Sequence, residues 1–277
     1  MKVEPQKTVF ITGCSSGIGL ATAQLLHKQN FKVIASVRNA DHRSRLSNLG
    51  VECIQLDLSD ERSVQSAVNY LSDNHPDLYA VINNGAYGQP GALEDLSRAA
   101  LRAQFETNLF GTHDLTQKLL PLLRQQPAAR IIQVSSVLGF VALPLRGAYN
   151  ASKFALEGLS DTLRLELKNT NIDVILIEPG AIDTHFRSNA LRQFERHIDP
   201  AGSHYTAQYE AARARLERPE PGRFSLPADA VARDIHHALT AKRPKLRYRQ
   251  TLPTKVIAKL KRILSTRMMD KILSNDR

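Results

Sequence analysis

Thr8-Val9-Phe10-Ile11-Thr12-Gly13-Cys14-Ser15-Ser16-Gly17-Ile18-Gly19 is the stretch whose reading decides the fold. A short apolar run suited to a buried strand ends in a turn of Gly and Ser, and a helical pattern begins within that turn. Glycine lets the backbone turn tightly and approach a pyrophosphate, which then rests on free N–H groups at a helix N-terminus. The spacing is Gly-x-x-x-Gly-x-Gly rather than the usual Gly-x-Gly-x-x-Gly, and an ordinary strand-to-helix corner can also use glycines.

Outward from this turn, apolar runs alternate with helical patterns. Strands are expected at Thr8–Thr12, Lys32–Val37, Val51–Leu56, Tyr79–Asn83, Arg130–Ser135 and Asp173–Glu178. Val and Ile dominate them with little polar alternation, as in parallel strands buried on both faces. Helices are expected near 17–29, 60–73, 97–126 and 147–169. Repeated β–α units predict an α/β, doubly wound parallel sheet of about seven strands with helices on both faces. The rhythm breaks after Pro179-Gly180. Residues 183–226 are polar and read as a lid or a disordered segment, followed by a helix to Thr240 and a last strand near Leu246–Gln250. The expected division is one domain over 1–241 and a C-terminal extension over 242–277.

The whole chain, 277 residues, carries 37 basic and 27 acidic side chains, a net charge of +10. Residues 242–277 hold 12 of the basic and two of the acidic groups, so the preceding 241 residues hold 25 of each and are neutral. A body that binds nucleic acid is thereby excluded, and within the tail Tyr248 is the only aromatic interleaved with the charges. Cys14 and Cys53 are too few for a disulfide framework, and the nine histidines show no metal-ligand spacing, so no metal is expected. His185 reads as a solvated loop histidine. No export signal is visible, and the expected location is cytoplasmic.

Two further features bear on chemistry. The second strand ends Val37-Arg38-Asn39, with no carboxylate before Asp41 where dinucleotide-binding folds often place one on the ribose. Arg38 suits a 2′-phosphate and argues for NADP(H), with NAD(H) left open; a solvated strand-end arginine is the alternative. Tyr149-Asn150-Ala151-Ser152-Lys153 sets a phenol and an ammonium on one helix face. A fixed cation nearby lowers a tyrosine pKa towards the working range, although such pairs are also common on helix surfaces.

With these motifs together, the chain resembles the short-chain dehydrogenase/reductase family over almost its whole length, nearest the branch of retinol and 17β-hydroxysteroid dehydrogenases. The family's glycine turn stands at Thr12–Gly19 and its Tyr-x-x-x-Lys at Tyr149–Lys153. Its serine, thirteen residues before the tyrosine, selects Ser136 over Ser135, and its helix asparagine matches Asn108. The resemblance implies a single Rossmann-type domain and a catalytic set of Ser136, Tyr149, Lys153 and Asn108. It also implies cofactor contacts from Gly13, Ser15, Ser16, Gly17, Ile18 and Gly19 in the turn. Further contacts are implied at Arg38, Asp57 and Leu58, at Asn84 and Gly85, at Tyr149 and Lys153, and at Pro179, Gly180, Ile182 and Thr184. One departure stands out: the family's Asn-Asn-Ala-Gly is here Asn83-Asn84-Gly85-Ala86.

The family reaction is hydride transfer between a nicotinamide and a carbonyl or alcohol carbon, with the tyrosine as acid or base. By that resemblance Ser136 orients the carbonyl oxygen, Lys153 lowers the Tyr149 pKa and bonds the nicotinamide ribose, and Asn108 holds a relay water. A cofactor-sensing protein on the same fold would lack this catalytic set. The loop from Val137 to Leu145 is apolar and joins two catalytic groups, which points to a lipophilic aldehyde or ketone; core or subunit packing is the alternative. In residues 254–273 apolar side chains recur at helical spacing among Lys and Arg. This predicts one basic amphipathic helix, packed on protein in preference to lying on an anionic membrane. A homodimer or homotetramer is the family expectation.

Overall fold

The computed structural model describes residues 6–218 and 222–274. Residues 1–5, 219–221 and 275–277 of the expected segments lie outside the described residues. Seven parallel strands form the main sheet: β1 Thr8–Ile11, β2 Lys32–Val37, β3 Glu52–Gln55, β4 Leu78–Asn83, β5 Ala129–Val134, β6 Ile172–Glu178 and, numbered last in the chain, β9 Arg247–Arg249. Their order is β3-β2-β1-β4-β5-β6-β9. A two-strand pair, β7 Ile182–Asp183 with β8 Leu226–Pro227, lies apart.

Alternation within the strands divides two apolar layers. Val9, Ile11, Val33, Ala80, Ile82 and Ile132 face one side and pack with helices α1 Gly17–Lys28 and α9 Ala228–Thr240. Phe10, Ile34, Val81, Ile131 and Val174 face the other and pack with α3 Glu61–Asn74 and α5 Gly111–Arg124. Both layers are buried, which is why the strands read as continuous apolar runs. A one-residue slip would exchange every side chain between the layers, and each well-buried Val or Ile is worth about 1.5–3 kcal/mol. Register is therefore tightly specified: Phe10 opposes Ile34 on one side and Val81 on the other.

The strand order reverses between β1 and β4, the place where open α/β sheets bind ligands beyond their strand ends. The Thr12 N–H donates to Ile82 O at 3.0 Å, closing the two strands together below this crevice.

Three segments differ from their sequence reading. The helix expected over 97–126 is α4 Arg98–Phe105, a π-turn at Glu106–Phe110, and α5. At the break Gly111 lies so near the Leu58 carbonyl that a Cβ there would sit 1.7 Å from its oxygen. Residues 183–226 carry two helices, α7 Phe186–His197 and α8 Thr206–Glu217. Phe194, Tyr205 and Tyr209 anchor them over Ala92 and Ile198, and the Tyr209 hydroxyl donates to Asp95 at 2.5 Å. The C-terminal region differs only past its strand, for β9 falls where a last strand is expected near Leu246–Gln250 and joins the main sheet.

Beyond β9, the single amphipathic helix is two: α10 Leu252–Leu260 and α11 Thr266–Ser274. Ser265 restarts the chain, its carbonyl accepting the Met268 and Met269 N–H groups. The bend brings Ile257, Leu260, Leu264, Met269 and Leu273 into one cluster with Leu138, Val141 and Tyr149. A straight helix would carry one end of that stripe away from the protein. α6 Gly147–Glu166 and the short α2 Arg43–Ser47 complete the helices among the described residues.

Candidate active site

The glycine turn crosses the crevice between β1 and β4. Gly13 has φ +72° and Gly17 φ +58°, in the left-handed region. A Cβ on Gly13 would lie 2.7 Å from Gly85 Cα, and one on Gly19 2.3 Å from Gly13 O. The two loops are thus in backbone contact, held by Asn84 Nδ2 donating to Thr12 O and Gly13 O and by Thr12 Oγ1 accepting the Gly85 N–H. The atoms nearest a Cβ on Gly85 itself would be in the Leu58 side chain, at 3.0 Å, and Thr12 Oγ1, at 3.2 Å. An alanine at position 85 would therefore need the Leu58 side chain to give by a few tenths of an ångström.

The cradle fits a dinucleotide. Ser16 is the N-cap of α1 yet makes no side-chain cap bond, and the first turn holds no carboxylate, leaving N–H donors for an anion. Ile18 and Ile182 pack against the same core layer beside the turn. Thr184 faces Gly17 at 3.1 Å from a Cβ built there, and Ser15 is half-buried in the turn. Pro179 O accepts the Val137 N–H at 2.8 Å, tying the Pro-Gly loop to the serine loop. Gly180 sits under Thr251 and Thr254, whose hydroxyls would lie 2.3 and 2.4 Å from a Cβ there.

Arg38 is exposed at the end of β2, its carbonyl accepting from Gln55 Nε2 at 3.2 Å. Burial pushes up the pKa of the half-buried Tyr87 phenol, while the guanidinium of Arg38, with that of Arg196, pulls the other way. The Asp57 Oδ1 accepts the Ser59 N–H and hydroxyl, and the buried Leu58 follows it against Gly85 and Gly111.

The four predicted catalytic residues converge from three places. Tyr149 and Lys153 project from α6, Ser136 follows β5, and Asn108 projects from the π-turn. All four are buried, Lys153 to 2% exposure and Asn108 to 1%. The widened turn delivers Asn108 inward, a common use of a π-bulge. Its Nδ2 donates to Tyr87 O at 2.9 Å and Ser152 Oγ at 3.2 Å, and its Oδ1 accepts the Tyr87 N–H at 3.1 Å. Both amide hydrogens are engaged, so the side chain clamps the 84–90 loop to α6.

The Ser136 hydroxyl oxygen accepts the Leu138 N–H at 3.1 Å, which leaves its hydrogen for the phenol. Lys153 Nζ donates to Val134 O at 2.8 Å and lies 5.8 Å from the Tyr149 ring centre. Burial is the largest influence on the tyrosine and raises its pKa to about 12, against the Ser136 hydrogen bond and the Arg146 charge. Proximity of Lys153 alone predicts a lowered value. In the structure the loss of hydration outweighs nearby charge, and Lys153 itself is pulled down to about 8 by burial.

Four further participants stand outside the sequence motifs, Phe186 being legible only as one of the aromatics of the 183–226 segment. The Phe186 ring meets Tyr149 edge-on, with centroids 5.4 Å apart. Met269 reaches the Tyr149 cluster from α11. The Arg146 charge favours the phenolate of Tyr149. Glu157, one turn beyond Lys153, is 8% exposed and has its pKa raised to about 7, chiefly by burial. Phe186 and Met269 reach Tyr149 only once distant segments have met, whereas Arg146 and Glu157 lie near it along α6. His185 is exposed at the start of α7, as its loop reading predicts.

Comparison with known proteins agrees with this geometry. Residues 7–194 match the family model described as short chain dehydrogenase. The chain is 41% identical over 272 residues to the uncharacterized oxidoreductase YbbO of Escherichia coli K12, covering 97% of this chain and 94% of that protein. It is 35% identical over 213 residues to human retinol dehydrogenase 8, covering 72% and 68% respectively. A short chain dehydrogenase from Burkholderia phymatum, solved with NAD, superposes with a TM-score of 0.79 at 24% identity, over 100% of this chain and 98% of that one. Another from Burkholderia cenocepacia, solved with NADP, gives 0.76 at 23% identity and 97% coverage of both. Those two likenesses establish the fold, while the family model and the long sequence match establish the kinship: the chain belongs to the short-chain dehydrogenase family.

Proposed function

We propose that the protein is an NADP(H)-dependent oxidoreductase that reduces a lipophilic aldehyde or ketone to its alcohol, or runs the reverse, with Tyr149 as acid and base. The observation that carries this reading is the setting of Tyr149. Its phenol is buried among Leu138, Val141 and Met269, and the Ser136 hydroxyl favours its phenolate form. A dinucleotide bound along Gly13–Gly19 supplies or accepts the hydride. Tyr149, protonated through the neutral range at a pKa of about 12, holds the proton that a reduced carbonyl oxygen needs. Ser136 orients that oxygen. Lys153 gives one ammonium hydrogen to Val134 O and keeps two for a ribose.

Two features support the finer points. Arg38 stands where a ribose carboxylate partner would otherwise be, exposed and able to fork onto a 2′-phosphate. The apolar cluster around Tyr149, capped by Phe186, favours a carbonyl with an extended hydrocarbon body. A kinetic screen of aldehydes and ketones of rising chain length, run in parallel with NADPH and NADH, tests the proposal. The expected result is NADPH preference and kcat/KM rising with apolar size. NADH preference, or best turnover of small polar carbonyls, would overturn the respective part.

A further inference from the structure

The two C-terminal helices are apolar on two sides. Inward, Ile257, Leu260, Leu264, Met269 and Leu273 pack on the Tyr149 cluster, with Thr254 and Ala258 buried beneath. Outward, Leu252, Val256, Ile263, Met268 and Ile272 remain in solvent, Ile263 at 79% exposure and Leu252 at 67%. Leu252 and Val256 lie one turn apart on the side of α10 opposite Thr254 and Ala258. Met268 and Ile272 repeat that spacing on α11. Single exposed apolar residues are ordinary, but five within residues 252–272 are a patch that calls for an occupant.

The tail divides its charge by task. Arg247 and Arg249 turn inward to Glu178, and Lys261 bonds the Phe140 carbonyl and lies over the Phe154 ring at 5.1 Å. Lys255, Lys259, Arg262, Arg267 and Lys271 are exposed, and none forms a salt bridge among the described residues. Asp270 is the only carboxylate between residues 242 and 274. Lys255 and Lys259 sit one turn from Leu252 and Val256. They also line a cleft of about 370 Å³ with Lys245, whose only acidic residue, Asp234, accepts from Gln250 at 2.7 Å.

We propose that α10 and α11 dock the protein on the surface of an anionic lipid bilayer, the exposed apolar side chains entering the headgroup boundary and the lysines and arginines meeting lipid phosphates. Apolar residues flanked by unpaired cations are the chemistry of an interfacial helix. A second copy of the chain fits less well, because a symmetric pairing would set five cations against the same five. Nucleic acid is disfavoured because Tyr248, the one aromatic among these charges, is buried. No helix of the described residues is long and apolar enough to cross a membrane, so the attachment lies in the surface plane. The inner side of the same helices borders the Tyr149 cluster, which sets the docked face beside the proposed site for a lipophilic substrate.

Vesicle flotation of the full-length protein tests this without reference to turnover, so its failure is distinct from failure of the proposed activity. The comparison is between vesicles containing phosphatidylglycerol and vesicles of phosphatidylcholine alone, with wild type and a Val256→Glu/Ile263→Glu/Ile272→Glu triple variant. The expected result is preference for phosphatidylglycerol by about tenfold or more, weakened by salt, and a similar loss in the variant. Unchanged Tm in the variant shows that packing is intact. Absent binding to phosphatidylglycerol vesicles, or equal binding by both proteins, overturns the proposal. So does a variant that changes only the oligomeric state in sedimentation, which would assign the face to a subunit contact.

Discussion

Arg247, on the last strand of the sheet, sets its guanidinium 2.8 Å from the carboxylate of Glu178 at the end of β6, a side chain only 1% exposed. The same guanidinium lies 2.7 Å from Asp161 and 3.2 Å from Glu157, both on the helix that carries Tyr149 and Lys153. Arg249 joins Glu178 from the other side at 2.5 Å. Two of the tail's cations thus neutralise buried acids behind the catalytic helix. The basic segment is in part the counter-charge of the body.

Replacing Arg247→Met leaves Glu178 with one ion-pair partner and takes from Glu157 the one it has among the described residues. Breaking a buried pair costs about 3–5 kcal/mol, and the remaining Arg249 contact places this variant at the lower end. At about 2–4 °C per kcal/mol for a chain of this size, the melting temperature falls by roughly 6–12 °C. Thermal unfolding at pH 7.5 and pH 5.5 checks this, with a smaller deficit expected at pH 5.5, where Glu157 is protonated. No change at either pH would contradict the pairing.

Glu157 and Lys153 predict a pH effect whose sign follows from their positions. Burial lowers the Lys153 pKa to about 8, and the Glu157 charge opposes that fall. Glu157 itself titrates near 7, raised by burial and the Glu178 charge against Ser135 and Arg247. Above pH 7 its carboxylate therefore stabilises the ammonium. Glu157→Gln removes that charge, so the Lys153 pKa drops and the alkaline limb of kcat/KM for reduction moves to lower pH. A pH profile with saturating cofactor shows the displacement; an unmoved or upward-moved limb would count against it. The linked effect on stability has its own sign. Because the folded pKa of Glu157 is raised, its contribution is present at acid pH and lost as pH rises through about 7.

Tyr149→Phe removes the proton donor and keeps the ring packed against Leu138 and Phe186. The turnover number is expected to fall about 10²–10⁴-fold. Cofactor affinity, read by fluorescence titration, stays near wild type because the dinucleotide cradle is built by other residues. Near-normal turnover would remove Tyr149 from its role.

Arg38→Ala tests the cofactor preference directly. Hydrogen bonds to a charged group contribute about 1.5–3 kcal/mol, so kcat/KM with NADPH is expected to fall about 10–100-fold. The NADH value should hold within a few-fold. Equal losses with both cofactors would mark Arg38 as structural.

Phe186→Ala opens the face of Tyr149. An edge-to-face aromatic pair is worth about 0.5–1.5 kcal/mol, which predicts a KM for long-chain carbonyls higher by about 2–10-fold. Turnover of a short aldehyde at saturation should be little changed. A uniform loss of kcat for both would instead place Phe186 in positioning the phenol.

Much of this architecture is legible in the chain because it depends on short-range pattern. Val- and Ile-rich runs place six strands to within about two residues, since both sheet faces are buried. The Gly13–Gly19 turn is readable because positive φ at Gly13 and Gly17 is a local demand. Tyr149 and Lys153 share a face by helix geometry alone, and Ser136 and Asn108 are marked by family spacing. The tertiary structure decided the rest. Burial overrides the charge of Lys153 and raises the Tyr149 pKa, and burial is a property of the assembled core. Whether Arg247 faces lipid, water or Glu178 depends on the pairing of Ile177 with Tyr248 across 71 positions of chain, which sets its neighbour Arg247 beside Glu178. The break at Ser265, which turns Met269 towards Tyr149, follows from the shape of the surface that both helices must cover. Local geometry and periodicity are written in adjacent residues, whereas desolvation and long-range ion pairing exist only once distant segments have met.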